Sequence, residues 1–402
     1  MPHNDLFEHF TKMRFGLALP PQIKVFGAFF VYSFCMGSIF PRLPAIQQAM
    51  GVGEGQLGLA LIGSAVGTLI SLTFAGHFVE AVGYRRALLV AIPLLSALYA
   101  LASWATGPLA FFLLLVPVGL TIGCIEIILN VEADRVEHQV GRRIMSRAHA
   151  FWSLGFFAAG IVGSFIAQTG LEVHIHLMLM IPVVLAATLL LLGQFEPAPH
   201  RPGNSSEEAP RFARPTMTIM ALVAVCLSAM LMEGAGIDWS AIYMRDLFDA
   251  EPFWAGLAVA TVAGSQGVAR FFADGFVERF SPVAVARTLL TVLGGGVALA
   301  FFAPVAWVAY LGFAMIGVGS SALFPLAMSA AAQQTDRPAA INVAALAQFS
   351  FTAFLLGPPL LGYIGEHFGI QWVFGVGFPL VLLGLATAHV LAPKPVVREV
   401  TP

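Results

Sequence analysis

Twelve runs of mostly apolar residues follow one another along this chain and constrain its fold more than any other feature. A helix needs ~20 such residues to cross the hydrocarbon core of a bilayer. We name the runs span 1 to span 12, and they cover residues 24–45, 55–79, 86–105, 108–131, 148–169, 175–193, 217–244, 253–277, 283–303, 306–332, 340–364 and 370–391. The sequence therefore predicts an all-α integral membrane protein with twelve transmembrane helices.

The composition leads to the same class of protein. Of 402 residues, 58% are hydrophobic and 10% are charged, whereas about 25% are charged in an average soluble domain. So few charges cannot cover a water-facing surface, so we expect the lipid bilayer as a partner. The net charge of −2 gives no indication of nucleic acid.

Residue patterns that would indicate an enzyme or a bound cofactor are missing from the sequence. Cys35, Cys124 and Cys226 lie in apolar runs, without the spacing of a metal site or a disulfide framework. We find no Walker-type nucleotide loop, no Ser/His/Asp set and no paired-histidine metal motif. The sequence thus predicts no enzyme activity, no cofactor, no metal and no drive by ATP.

A polar segment divides the chain into two halves. The stretch from Gly193 to Pro215 is rich in proline and serine, as is typical of a linker. We therefore expect a six-helix bundle at 1–193, a linker at 194–216 and a second six-helix bundle at 217–402.

The two halves also resemble each other in sequence. At a shift of 198 residues, "FAGHFVE" (Phe74–Glu80) aligns with "FADGFVE" (Phe272–Glu278) at five positions of seven. Because the shift keeps both the order and the sidedness of the helices, it predicts two parallel halves related by an axis along the membrane normal.

The positive charges predict the orientation. If the N-terminus is inside, 18 of the 20 Lys and Arg residues fall on the inner side, and only Arg42 and Arg245 fall on the outer side. Cytoplasmic loops are enriched in such residues. We expect a multi-pass protein of the bacterial inner membrane with both termini in the cytoplasm and no cleaved signal peptide.

The loop between spans 2 and 3, "GHFVEAVGYR" (residues 76–85), is similar to a motif of the major facilitator superfamily, whose members have six plus six spans and a long inner linker. Glu80 replaces the usual Asp, and Ala81 and Tyr84 replace basic residues. The resemblance implies that the two halves rock and that the loop acid binds a neighbouring helix start when the inner gate is shut. It implies gating residues at Gly76, Glu80, Gly83, Arg85, Arg86, Glu278 and Arg279.

Three further segments look like a poorly characterised bacterial branch that includes MosC-type membrane proteins and lies near fucose-permease-like carriers. They are "NVEADRVEHQVGRRIMSRAHAFWSLG" (130–155), "EGAGIDWSAIYMRDLF" (233–248) and "LLGPPLLGYIGEHFG" (355–369). Span 4 lacks the arginine of many family members, and span 5 lacks the Gly-Pro pair of drug antiporters. Both absences disfavour multidrug efflux.

Span 4 carries the first candidate site residues. Gly119, Gly123, Glu126 and Asn130 recur at intervals of four, three and four, so they form one helical stripe. A carboxylate facing lipid costs about 3 kcal/mol, so the stripe must face protein or a water-filled cavity. Glu126 is therefore either a proton-coupling group or part of a structural hydrogen bond between spans.

Span 7 carries a second acidic pair in "MEGAGIDW". Glu233 and Asp238 are separated by about 140° on a straight helix, and we expect Gly234 and Gly236 to unwind the helix locally so that both acids reach the cavity. Trp239 would then offer a flat face to a ring-shaped ligand. The alternative is that Asp238 and Trp239 lie at the outer membrane interface, where tryptophan is common.

The remaining candidates are weaker. Arg42 is expected either to pair with Asp238 or to extend into water. Arg270, Asp274 and Glu278 step by four and predict an ion-paired ladder at the inner end of span 8. Five further residues are candidate proton-relay or hydroxyl-binding groups, and each could instead have only a structural role. They are His149, Trp152, Gln266, Asn342 and Gln348.

Together these features predict a secondary transporter, active as a monomer, that moves a small polar solute with protons. Few fixed charges and no basic cluster favour sugars, polyols or inositol derivatives over phosphorylated or multiply anionic solutes. Two alternatives stay open: a proton-coupled exporter of amphipathic compounds, and a membrane sensor that keeps the fold but does not transport.

Overall fold

The computed structural model describes residues 16–142, 144–199 and 214–392, without the side chains at 75–78, 80, 81, 146, 274, 340, 353 and 354. The helices of the first half are Pro21–Gly37, a 3₁₀ turn Phe40–Arg42 and Leu43–Met50 (together span 1), Glu54–Val82, Tyr84–Ala102, Pro108–Val140, Met145–Gln168 and Val173–Leu192. Those of the second half are Met217–Phe248, Pro252–Arg279, Pro282–Phe301, Ala306–Ser320 with Leu323–Ala332 (span 10), Ala339–Phe368, and finally Trp372–Gly375, Gly377–Thr387 and the 3₁₀ turn Ala388–Leu391 (span 12).

The all-α class is confirmed, since the described residues form helices and turns but no strands. Eleven segments of the described chain are long and apolar enough to cross a membrane. Span 8, the 28-residue helix Pro252–Arg279, is not among them. Its sequence contains Gln266 and continues into Arg270 and Glu278, which lower its hydropathy. The twelve predicted helices are consistent with this architecture.

Local sequence sets several helix boundaries. Spans 8 and 9 begin at Pro252 and Pro282, where proline is favoured because the first helical N–H has no partner within the helix. The Thr216 hydroxyl accepts the N–H of Ile219 at the start of span 7. Such N-cap bonds satisfy an otherwise orphaned donor.

The 198-residue repeat is visible in the structure. Spans 2, 3 and 4 begin at positions 54, 84 and 108, and spans 8, 9 and 10 begin at 252, 282 and 306, each 198 residues later. The same register governs packing. A Cβ on Gly119 would meet the carbonyl oxygen of Ser64, and a Cβ on Gly317 would meet that of Val262. Spans 2 and 4 therefore approach as closely as spans 8 and 10, at corresponding glycines.

The two ends of the bundle can be told apart by the linker. Arg85 Nη2 donates to the Gly193 carbonyl oxygen at 2.6 Å, and Glu132 Oε2 accepts the Ala198 N–H at 3.0 Å. We call this end the linker end and the opposite end, where spans 1 and 7 finish and spans 2 and 8 begin, the far end.

Candidate functional site

Polar contacts join the two halves at the far end. Arg245 of span 7 donates to the carbonyl oxygen of Pro44 at 2.9 Å and to Oε1 of Gln47 at 2.8 Å. Glu366 of span 11 accepts the N–H of Gly55, at the start of span 2, at 2.9 Å. Each bond crosses from one half to the other.

Spans 5 and 8 continue this connection. Gln168 donates to Glu251 Oε2 at 3.1 Å and accepts the Phe253 N–H at 2.9 Å. Further along the same interface, a Cβ on Gly160 would lie 2.9 Å from the Cβ of Ala260. We call the polar contacts of Pro44, Gln47, Gly55 and Gln168 with Arg245, Glu251, Phe253 and Glu366 the far-end seal.

Between spans 5 and 8, the described hydrogen bond that lies nearest the linker end joins Arg270 and Ser153. Arg270 Nη1 donates to Ser153 Oγ at 3.3 Å, and a Cβ on Gly267 would lie 2.8 Å from the Ser153 Cβ. Further toward the linker end, Glu278 and Arg279 of span 8 are exposed. No hydrogen bond between described residues of the two spans is present beyond Ser153.

Glu126 lies in a hydrogen-bonded cluster between spans 1 and 4. The Tyr32 hydroxyl donates to its Oε1 at 2.9 Å, and Asn130 Nδ2 donates to its Oε2 at 3.1 Å. Tyr32 is fully buried, whereas Glu126 and Asn130 are half-buried. The acid of span 4 thus has a partner on another span and a partly open side. Both interpretations of Glu126, coupling group and interhelical hydrogen bond, agree with this geometry.

A second cluster surrounds Arg270, for which the sequence predicts an ion-paired ladder along span 8. Its Nη2 lies 3.5 Å from Oε1 of Glu233 on span 7, and its Nε donates to the Ser321 carbonyl oxygen of span 10 at 3.1 Å. With Ser153, the guanidinium links four spans and both halves. His149 lies within electrostatic range of Arg270. The ladder itself stays a prediction, because the side chain of Asp274 lies outside the described residues.

Trp152 directly precedes Ser153 on span 5, and His149 lies one turn before Ser153. The Trp152 ring stacks on Phe156 at a centroid distance of 5.4 Å, and its indole N–H is buried without a hydrogen-bond partner in the described structure. The His149 ring contacts Phe29 of span 1 edge-on at 5.1 Å. Both residues are half-buried.

Span 7 is an unbroken α-helix from Met217 to Phe248. The expectation that Gly234 and Gly236 unwind it is wrong, because Gly236 packs against Val262 of span 8 within the regular helix. A Cβ on Gly234, in contrast, would meet nothing within 4 Å. Gly234 lies between Glu233 and Asp238 around the helix, so the two acids flank an open strip of span 7 without any unwinding.

The structure places Trp239 away from this strip. Its ring is fully buried, and its Cη2 would lie 3.0 Å from a Cβ on Gly362 of span 11. The ring is therefore open neither to a ligand nor to the membrane interface, and its contacts are those of helix packing. Asp238 is half-buried and lies within electrostatic range of the Tyr99 hydroxyl on span 3.

Arg42 does not pair with Asp238 and does not extend into water. It is only 4% exposed, and its Nη2 donates to the Leu171 carbonyl oxygen at 2.5 Å. Its Nε and Nη1, and both ring nitrogens of buried His176 nearby, have no partner in the described structure. Arg42 lies in the 3₁₀ turn within span 1, and its side chain contacts Leu171 of the same half, which explains why both expectations failed.

The three amides have separate surroundings. Gln266 is buried and donates to Ser320 Oγ at 3.2 Å, between spans 8 and 10. Asn342 is buried at the start of span 11, where it donates to Asp336 at 2.9 Å and accepts from Arg337 at 3.1 Å. These bonds are interhelical and loop contacts. Gln348 is half-buried.

A model of the Major Facilitator Superfamily matches residues 25–241 and 221–402 of this chain. The chain belongs to the major facilitator superfamily. Its resemblance to that family in the loop after span 2 is therefore confirmed at the level of the whole chain.

Two relatives support the branch of this superfamily that the sequence indicated. The chain is 30% identical over 389 residues to "Uncharacterized transporter y4wD" of Sinorhizobium fredii, a match that covers 95% of this chain and 99% of the relative. It is 25% identical to "Membrane protein MosC" of Rhizobium meliloti over 85% of this chain and 83% of the relative.

A solved structure supports the fold. A crystal structure of a variant of the E. coli fucose:proton symporter superposes with a TM-score of 0.62 at 15% identity, covering 93% of this chain and 99% of the symporter. At this identity the match concerns the fold alone.

The superfamily's loop residues lie as follows. Gly83 joins spans 2 and 3 with φ of 86°, a conformation that favours glycine. Arg85 binds the start of the linker, whereas Arg86 is exposed. Glu278 and Arg279 are exposed, and Arg279 lies over the Phe280 ring. Beyond their helical backbone, Gly76 and Glu80 lie outside what the structure describes.

Proposed function

We propose that this protein is a secondary transporter that moves a small polar solute across the bacterial inner membrane by alternating access, coupled to protons. Membership of a transporter superfamily supports the general mechanism. A gradient of an ion or of the solute would supply the energy, because the sequence has no nucleotide-binding loop of the Walker type.

The observation that carries the proposal is the placement of Glu126. It lies within a membrane-spanning helix, half-buried, and its carboxyl group is bonded by Tyr32 and Asn130. An ionisable group at the bilayer centre costs about 3 kcal/mol by insertion scales and usually faces a bundle interior with a functional role. Glu233, which is paired with Arg270, is a second acid within a membrane-spanning helix, on span 7 of the other half.

The far-end seal indicates which state of the transport cycle this structure represents. We assign the linker end to the cytoplasm, because 18 of 20 Lys and Arg residues fall on that side. The seal then closes the periplasmic side, and the exposed Glu278 fits an inner gate that is open. The state is inward-facing.

For the solute, we favour neutral polyhydroxylated molecules such as sugars, polyols or inositol derivatives. Asn130, which is half-buried beside Glu126, carries an amide that can donate to and accept from solute hydroxyls. The fold is shared with a fucose:proton symporter. An exporter of amphipathic compounds is the second candidate, and a sensor without transport is the third.

Proteoliposomes containing the full chain would test the proposal. Labelled sugars and polyols, including glucose, sorbitol and myo-inositol, should exchange by counterflow, and solute addition should alkalinise the outer medium. Glu126→Gln should abolish the proton movement and keep solute binding. Glu172→Gln, which removes an exposed acid at the far end, should behave like wild type.

Three results would contradict parts of this proposal. Proton movement by Glu126→Gln at the wild-type rate would remove Glu126 from coupling. Binding of a solute without any counterflow would favour the sensor. A fall in drug resistance after deletion of the gene, without exchange of sugars or polyols, would favour the exporter.

A further inference from the structure

The Arg270 cluster has the composition of a binding site for an acidic group. Arg270 uses one N–H on each of its three nitrogens, toward Ser321, Ser153 and Glu233. A guanidinium has five N–H donors, so these three contacts leave one N–H on each terminal nitrogen among the residues whose side chains the structure describes, which do not include Asp274. The indole N–H of Trp152, the residue before Ser153, is buried without a partner in the described structure. The described side chains of the cluster therefore leave N–H donors for a ligand.

The contact between Arg270 and Glu233 is longer than that of a strong ion pair. The single contact of the two side chains is 3.5 Å long, whereas charge-assisted N–H···O bonds are typically about 2.7–2.9 Å. An arginine fork can hold a carboxylate through two parallel bonds. Glu233 makes only one such contact with Arg270.

The cluster is also open to a ligand. The side chains of Arg270 and Glu233 are 20% and 13% exposed. A Cβ at Gly234, the next residue after Glu233, would meet nothing within 4 Å. The free space beside span 7 thus reaches the ion pair directly.

We infer that the transported solute carries a carboxylate, which binds the Arg270 fork and displaces Glu233. This inference rests on the proposed transport of a small polar solute, and it changes the favoured solute class from neutral polyhydroxylated molecules to singly charged, hydroxylated acids. Neutral sugars and polyols become weak ligands. Multiply anionic solutes remain disfavoured, because Glu126, Glu233 and Asp238 are acids on the surrounding spans.

The test uses purified full-length protein with matched pairs of acids and neutral analogues: gluconate with sorbitol, glucuronate with glucose, and lactate with propane-1,2-diol. Binding is measured by ligand-induced shifts of the melting temperature and by titration. We expect at least one acid to bind about tenfold or more tightly than its neutral analogue, the size of a charge-assisted bond.

Two variants of the same ion pair should change acid binding in opposite directions. Arg270→Gln should weaken it about 100-fold or more, the scale for loss of a partner in a buried charge pair. Glu233→Gln should leave it equal or tighter, because the competitor is gone. Arg287→Gln, an exposed arginine at the start of span 9, is the matched control and should bind like wild type.

The inference is overturned if no acid binds more tightly than its neutral analogue, or if both variants weaken binding alike, as a purely structural pair would. Its failure can be separated from that of the transport proposal. Counterflow of neutral solutes only would retain transport and exclude the acidic solute. Binding of an acid through Arg270 without counterflow of any solute would retain the site and exclude transport.

Discussion

The far end and the linker end of this bundle are held together in different ways. At the far end, bonds such as Arg245–Pro44 and Glu366–Gly55 run between the halves. At the linker end, Arg85 and Glu132 bind the start of the linker, next to their own half. A molecule whose halves rock needs one end that separates while the other is joined, so the difference between the ends identifies the moving interface.

Glycine makes the far-end seal possible. A Cβ on Gly55 would collide with the carboxylate of Glu366, and Gly58 lies directly against the Pro358 carbonyl oxygen of span 11. Glu366 also binds where the first N–H groups of a helix lack partners, a position that favours negative charge. The superfamily's loop acid is expected to bind a helix start in the same way at the inner gate. An acid bound to a helix start would then close each end in turn.

The largest expected effect comes from locking the far end. In a background without Cys35, Cys124 and Cys226, the pair Gly160→Cys and Ala260→Cys should form a disulfide once the two helices separate by about 1 Å, because a Cβ on Gly160 would lie 2.9 Å from the Cβ of Ala260, closer than the usual ~3.8 Å. Oxidation should stop counterflow completely, and a reductant should restore it.

The matched control for that lock joins two spans of the same half. A Cβ on Gly37 would lie 3.0 Å from the Cβ of Ala159, so Gly37→Cys with Ala159→Cys should also oxidise. Counterflow should survive this cross-link, because the first half moves as a unit. Equal inhibition by both pairs would mean that the halves do not rock about this interface.

Arg245→Gln should have the next largest effect. It removes two bonds between the halves, to Pro44 and Gln47, each contributing about 1 kcal/mol. The population closed at the far end should fall about 30-fold relative to the open one. Arg287→Gln, which removes an exposed arginine at the linker end, should change nothing. The reactivity of a reporter cysteine toward a thiol reagent added from the far side measures the open population in both variants.

Gly55→Ala should have the smallest effect of the three. The added methyl group displaces the Glu366 carboxylate, whose flexible side chain can move aside, so only one bond of about 1 kcal/mol is lost. We expect a shift of about fivefold toward the state open at the far end. Gly107→Ala, where a Cβ would meet nothing within 4 Å, should leave the reporter unchanged, and a similar shift in both variants would contradict the seal.

The fold could be predicted from the sequence because lipid imposes simple rules. Helix length, the 198-residue repeat and the Gly119–Gly123 stripe follow from local spacing, and each has its counterpart in the structure. Span 4 was also recognised as the helix with a buried acid, because Glu126 interrupts an apolar run.

The partners in the site could not be predicted in the same way. Tyr32 gave no signal, since a tyrosine is ordinary in an apolar helix. Arg270 was assigned to its own helix because i, i+4 spacing says nothing about neighbouring spans. Glu366 ends span 11 like any interfacial acid, and only the fold brings it to Gly55, 311 residues away.

The most direct test of the account is the side from which Gly234 can be reached. Gly234→Cys, as the only cysteine, is treated with a membrane-impermeant thiol reagent in inside-out and right-side-out vesicles. The account predicts rapid labelling in inside-out vesicles, where the cytoplasmic side faces the reagent, and slow labelling in right-side-out vesicles. Labelling from the periplasmic side alone, or from neither side, would contradict a bundle sealed at its far end and open toward the linker.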